Sequence, residues 1–454
     1  MAGKRAKTLI LGVVFACSFI FAAAYSCAAA AASANADAEE VVPVPTAEKA
    51  DAPAPAADVA NLVGGQCDNS GCTCDGVPLC SPPGRFWVRA DWMMWWTNGQ
   101  ELPPLVTTSP QGTPIGQAGV LGQAGTTVLF GDSTVYDQAR SGVKITFGAW
   151  LDCSHRWGLE ADWLTLGGDS IDYTNSSTGN PILARPFFNV ETNAEDAQLK
   201  AYPGVVTGSV DVIGNDYFES VGMTLRYNLC CSCCSDCCGD TCDAGCEGGC
   251  GSNPCSMSYC RTDLLFGYRH YLLGDNMSIG EDIYDTRTSS RYQITDIFDT
   301  RNEFNGAELG LDTELRRGRW SLELLAKMAF GNNHETATIN GTTTISNGQT
   351  SVTYPEGIYA VASNSGVHPR DEFVVIPQFG VQAGCQLTCH VRAFVGYNLI
   401  YWGNVMRAAD QIDLNIDPRQ FAPPVSGALP YPQYSATQSS FWAQGVNVGG
   451  EFRF

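Results

Sequence analysis

Cysteine and histidine carry most of the chemistry this chain could perform, and they are spaced unevenly. Twenty cysteines are present. Cys67, Cys72, Cys74 and Cys80 form one group, and Cys153 stands alone. Cys230, Cys231, Cys233, Cys234, Cys237, Cys238, Cys242, Cys246, Cys250, Cys255 and Cys260 crowd a single segment, and Cys385 and Cys389 come last. The run from Cys230 to Cys238 contains overlapping C-x-x-C spacings, which can hold zinc or an iron–sulfur cluster. Cys153-x-His155 and Cys389-His390 would add nitrogen ligands. In an exported chain thiols usually pair instead. The cysteines are therefore disulfide candidates with metal as the alternative, and their connectivity does not follow from spacing.

Catalytic chemistry finds little support. There are five histidines, His155, His270, His334, His368 and His390, and no Ser-His-acid arrangement is legible around them. No loop resembles a phosphate cradle. No enzyme activity and no cofactor are expected. The formal charge of −21 excludes nucleic acid as a natural partner.

Export is written at the N-terminus. Lys4, Arg5 and Lys7 precede an apolar run from Leu9 to Ala24, and Ala34-Asn35-Ala36 offers a cleavage site, so residues 1–36 read as a signal peptide. Residues 37–84 read as an acidic, Pro-rich disordered linker with a Cys-rich end. Beyond it no twenty-residue apolar run occurs, which excludes a helical membrane protein.

What remains alternates. Ten stretches show period-two patterning: residues 85–96, 140–152, 157–166, 217–228, 261–272, 305–315, 319–330, 373–383, 391–401 and 441–454. One parity carries Val143, Phe147, Leu309, Leu324, Val395 and Val448. The other carries Arg89, Asp91, Lys144, Glu160, Asp162, Arg226, Asp263, Arg269, Glu308, Asp312, Glu323, Lys327 and Arg392, with Glu314 among them. Strands with one apolar and one polar face, each about 9–11 residues long, suit a transmembrane barrel. The fold class is therefore all-β: an antiparallel transmembrane β-barrel of about ten strands over residues 85–454, with a Cys-rich periplasmic insert at 229–260.

Connections after the second, sixth and eighth stretches are tight, whereas those after the first, third, fifth, seventh and ninth are long, as between the periplasmic and outer ends of such barrels. Every cysteine beyond the leader falls before the first strand or in an inner connection. Two Asn-Gly pairs, at 340–341 and 347–348, signal small hairpins in the seventh-to-eighth loop. If such strands joined the wall, the count would be twelve. Trp157 and Trp320 fall near inner rims, and Trp95, Trp96, Trp402 and Trp442 near outer ends, where indole suits an interface. The chain ends Phe452-Arg453-Phe454, an aromatic-x-aromatic pattern that reads as the assembly signal.

The run Phe86-Trp87-Val88-Arg89-Ala90-Asp91-Trp92-Met93-Met94-Trp95-Trp96, followed by Leu102-Pro103-Pro104-Leu105, resembles the opening of the seventh family of putative planctomycete outer-membrane β-barrel porins. The resemblance covers about residues 84–454. It implies an outer-membrane barrel and brings no catalytic residues. A porin-like barrel for passive movement of small solutes or ions is the expectation. Ten strands leave little lumen, and the mixed charges above could pair across it, so the path should be narrow. A structural or adhesive barrel with a disulfide-rich periplasmic face is the alternative, and a barrel hydrolase the third reading. The partners expected are outer-membrane lipids and the barrel-assembly machinery.

Overall fold

A computed structural model describes residues 81–82, 84–233 and 258–454. The leader, the linker with Cys67, Cys72, Cys74 and Cys80, and the stretch holding Cys234, Cys237, Cys238, Cys242, Cys246, Cys250 and Cys255 lie outside them. Ten strands form the wall: β1 (Phe86–Thr97), β2 (Arg140–Trp150), β3 (Trp157–Ser177), β4 (Val206–Cys233), β5 (Ser258–Asp285), β6 (Ser290–Arg317), β7 (Trp320–Ser346), β8 (Gly366–Gln386), β9 (Val391–Val405) and β10 (Ser439–Arg453). Each pairs antiparallel with its sequence neighbours, and β1 pairs with β10, so the sheet closes into a ring. Closure leaves no edge around the ring itself, while β3 beyond Leu166 and β8 before Gln378 pair with a wall strand on one side only. The ring has ten strands, not twelve. Ser351–Tyr354 pairs with the tip of β7 but does not enter the wall.

The parity of the sequence is the parity of the wall. Outward lie Trp92, Val143, Phe147, Val221, Met223, Phe266, Leu309, Val395, Val448 and Phe452, all exposed. Leu324 shares that parity but is buried; its register neighbours are Thr313 and Val381. The outward apolar run is short. It passes from Tyr268 to His270 and Asn276 on β5, from Ala307 to Asn305 and Glu303 on β6, and from Phe330 to Asn332 and His334 on β7.

Strands β4, β5 and β6 nevertheless run for 28 residues each. At ~3.3 Å per residue they are far longer than a membrane crossing requires. The expected strand ends at 217, 272, 305 and 330 were thus too short. The long connection expected after the fifth stretch is a tight turn at residues 286–289 between β5 and β6. Past the apolar band the outward face turns polar and the inward face changes from charged to largely apolar, so the pattern of a lipid-facing strand ends while the strand continues.

The Asn340-Gly341 hairpin is likewise absent. Gly341 lies inside β7, where a Cβ would come 1.8 Å from the Ala360 carbonyl oxygen. It is glycine because a loop backbone approaches, not because the chain turns there. Asn347-Gly348 does make a turn, with Gly348 at positive φ.

Candidate functional site

The barrel interior is filled in three layers. Nearest the tight turns is a lattice of ion pairs. Arg89 reaches Glu323 at 3.1 Å and Glu451 at 3.0 Å. Arg226 binds Glu160 at 2.7 Å, Asp263 at 3.0 Å and Asp312 at 2.5 Å. Arg269 bridges Asp162 and Glu308 at 2.6 and 2.7 Å, and Lys327 adds to Glu308 at 2.9 Å. Arg392 joins Glu314 and Glu323 at 3.0 and 2.8 Å. Lys144 stands opposite Asp91 in the β1–β2 register. Thus the thirteen charged positions singled out by parity sit on the inner wall, and most are tied to strands other than their own. Arg261, Glu451 and Arg453 belong to the same lattice. Their parity with Asp263, Asn447 and Glu451 was the available signal. The cavity left among Trp87, Trp150, Arg226 and Arg453 is about 20 Å³, room for roughly one water.

Above the charges lies an aromatic layer. Met93, Trp95, Phe218, Tyr271, Phe304, Trp402 and Phe441 are all buried and cluster together. Phe218 and Phe441 are 5.0 Å apart, and Tyr271 and Trp402 5.9 Å. Trp95 and Trp402, expected at the interface, are inside, and Trp95 donates to Asn447 Oδ1 at 2.8 Å. An indole inside a barrel replaces water with apolar surface; the Trp95 N–H stays bonded there, whereas the buried Trp402 Nε1 has no hydrogen-bond partner among the described residues. Trp157 and Trp320 are exposed and face outward.

The third layer comes from the loops. Leu105, Phe187, Ile358, Tyr359, Ala408 and Ile412 pack on Val210, Met277, Ile294 and Ile339 of the extended strands. Buried charges lock them there. Asp296 Oδ1 accepts the backbone N–H groups of Ile358, Tyr359 and Ala360 at 2.8, 3.1 and 2.9 Å. Its other oxygen binds Arg185 at 2.7 Å, and Arg185 also binds Glu281, which takes Lys200 as well. Arg407 is fully buried on Asp275, and Asn302 grips both backbone polar groups of Met406. Loop residues such as Arg185, Lys200 and Arg407 have no periodicity, so no sequence signal placed them.

The chain terminus closes the ring. Phe86 and Phe454 exchange backbone hydrogen bonds of 2.9 Å, and Phe452 and Phe454 stack outward at 5.7 Å. At the turn end, Cys231 is disulfide-bonded, while Cys385 and Cys389 carry thiols. Cys230 and Cys260 lie at the mouth of the insert. No group of three or more His, Cys, Asp or Glu side chains able to hold a metal occurs among the described residues.

Ser81 Oγ hydrogen-bonds His155 Nδ1. The neighbouring carboxylate of Asp152 is engaged by Ser154 and by the N–H groups of Arg156 and Trp157. That carboxylate caps a turn and does not orient a base.

A closed antiparallel ring with an apolar outer band and a polar interior defines the class: a porin-like β-barrel. The family model described as putative beta barrel porin-7 (BBP7) matches residues 87–454, and the chain belongs to that family. No curated protein sequence matches. Among solved structures, the outer membrane protease OmpT of Escherichia coli is similar at 8% identity and a TM-score of 0.38, covering 82% of this chain and 97% of that one. The toluene transporter TodX of P. putida aligns at 9% identity and TM-score 0.19, covering 82% and 91%. The anion-selective porin of Comamonas acidovorans aligns at 9% and 0.12, covering 82% and 100%.

Proposed function

We propose that this protein is an outer-membrane barrel of the porin class that is shut at rest and passes only ions or small solutes through a narrow polar path. The observation that carries the reading is the occlusion. Arg89, Arg226, Arg269 and Arg392 cross-link the inner wall, and Phe218, Tyr271, Trp402 and Phe441 stack above them. Passage requires partners to separate, and buried charges separated from their partners are costly. Ions should therefore cross as brief events, not through a standing pore.

A second reading, a structural envelope barrel, is favoured by the outer half of β4–β7, on which buried loop residues pack as one body. The full chain refolded into a planar bilayer tests both. Small flickering currents in the wild type, enlarged in Phe218→Ala with Trp402→Ala, support the narrow path. A large steady conductance overturns closure at rest. Silence in both proteins, with heat-modifiable gel mobility intact, favours the structural barrel.

A further inference from the structure

Arginine pairing across the described residues divides by location. Every arginine in the lumen, the loops and the outer extension lies in an ion pair. Arg85, Arg156, Arg316, Arg317 and Arg319 form none among the described residues, and all five belong to the turn end of the barrel. Arg316 is buried and bonds to Gln386 and a carbonyl. Arg85, Arg156, Arg317 and Arg319 are exposed. Two of them lie against outward rings, and the other two border one in sequence. Arg85 lies 6.0 Å from the Phe86 ring. Arg156 lies 5.5 Å from the Tyr227 ring and donates to its hydroxyl at 3.0 Å, and Tyr227 stacks on Trp157. Arg317 and Arg319 flank the turn into Trp320, one of the most exposed large side chains.

The other edge of the apolar band is different. Arg301 pairs with Glu303, Arg370 with Glu372 and His334 with Asp371. In a chain of formal charge −21, four exposed guanidinium groups with no ion pair among the described residues stand on one rim.

We propose that this rim is a docking surface for anionic phospholipid headgroups of the periplasmic leaflet. The inference rests on the membrane reading above. Guanidinium forms paired N–H···O bonds to phosphate oxygens. Rings that settle at the interface hold those groups at headgroup depth. Among the described residues of the turns beside these arginines, the Asp152 carboxylate is occupied by its own turn.

The test uses the full chain refolded into phosphatidylcholine vesicles, with and without phosphatidylglycerol. Heat-modifiable mobility reports insertion, and its midpoint reports stability. The wild type should unfold at a higher temperature with phosphatidylglycerol present. The quadruple variant R85Q/R156Q/R317Q/R319Q should insert equally into phosphatidylcholine and lose that rise. Replacing the same residues with lysine should restore part of it. Retained phosphatidylglycerol after detergent extraction should weaken about fivefold in binding constant per arginine removed. An equal rise in wild type and variant, or no rise in either, overturns the lipid site. Tighter binding of soluble polyglutamate than of phosphatidylglycerol vesicles also overturns it, in favour of an acidic polymer. Failure to insert into either vesicle overturns the membrane reading itself.

Discussion

Individual carboxylates and rings decide how the loops and turns are held. Asp296 is the acceptor for three consecutive N–H groups and a partner of fully buried Arg185. Asp296→Ala should cost about 3–5 kcal/mol, because it leaves a buried cation short of charge. The readout is urea unfolding, with proteolysis mapped to residues 356–361 while the ring keeps its heat-modifiable mobility. At the turn end, burial and then the Arg261 and Arg453 charges hold the His155 imidazole down to about 4, and its ring stacks on Trp150 at 5.0 Å. The fold therefore keeps His155 neutral where the unfolded chain takes up a proton. Its stability contribution is fully present above pH 6.5 and is lost as pH falls toward 4. Unfolding midpoints for wild type and His155→Gln, taken across that window, should converge at low pH. Parallel curves would show that another group governs acid sensitivity.

Among elements, β10 and β1 bear the closure. Deleting Phe454 removes two backbone hydrogen bonds to Phe86 and a ring stack, and opens the sheet edge. Unassembled protein should accumulate in the periplasm, and normal outer-membrane levels would contradict the role of the terminus. Lipid exposure can be tested strand by strand. Val395 is 49% exposed and Leu324 only 7%. Val395→Arg should cost ~2–4 kcal/mol near the membrane midplane. Leu324→Arg should fail through crowding instead, so its penalty should persist in detergent micelles. The strand pattern was readable because one side faces an apolar medium and the other a polar interior. It faded beyond residues such as Tyr268 and Ala307, where both faces change environment while the hydrogen-bonded ladder runs on.

For the molecule as a whole, sidedness follows from where the strands are long. The outer body built on β4–β7 should stand outside the cell and the Cys-rich end inside. A bulky maleimide on intact cells, after mild reduction, should label Gln349→Cys readily and the native thiols hardly at all. Labelling of Cys385 or Cys389 from outside would invert the orientation.

The sequence by itself determined the antiparallel wall, its inward and outward parity, the lattice-forming charges and the closing aromatic terminus. Each of these is local, because a period of two assigns every residue to a face before any partner is known. Only the tertiary structure decided that Trp95 and Trp402 fill the lumen, that β5 and β6 meet in a four-residue turn, and that Asp296, Arg185 and Arg407 draw the loops into the mouth. Those contacts join residues far apart in the chain, such as Arg185 with Asp296 and Arg407 with Asp275. No spacing within a segment encodes such partners. They exist because desolvated charges and apolar loop residues can be satisfied only once the ring has closed.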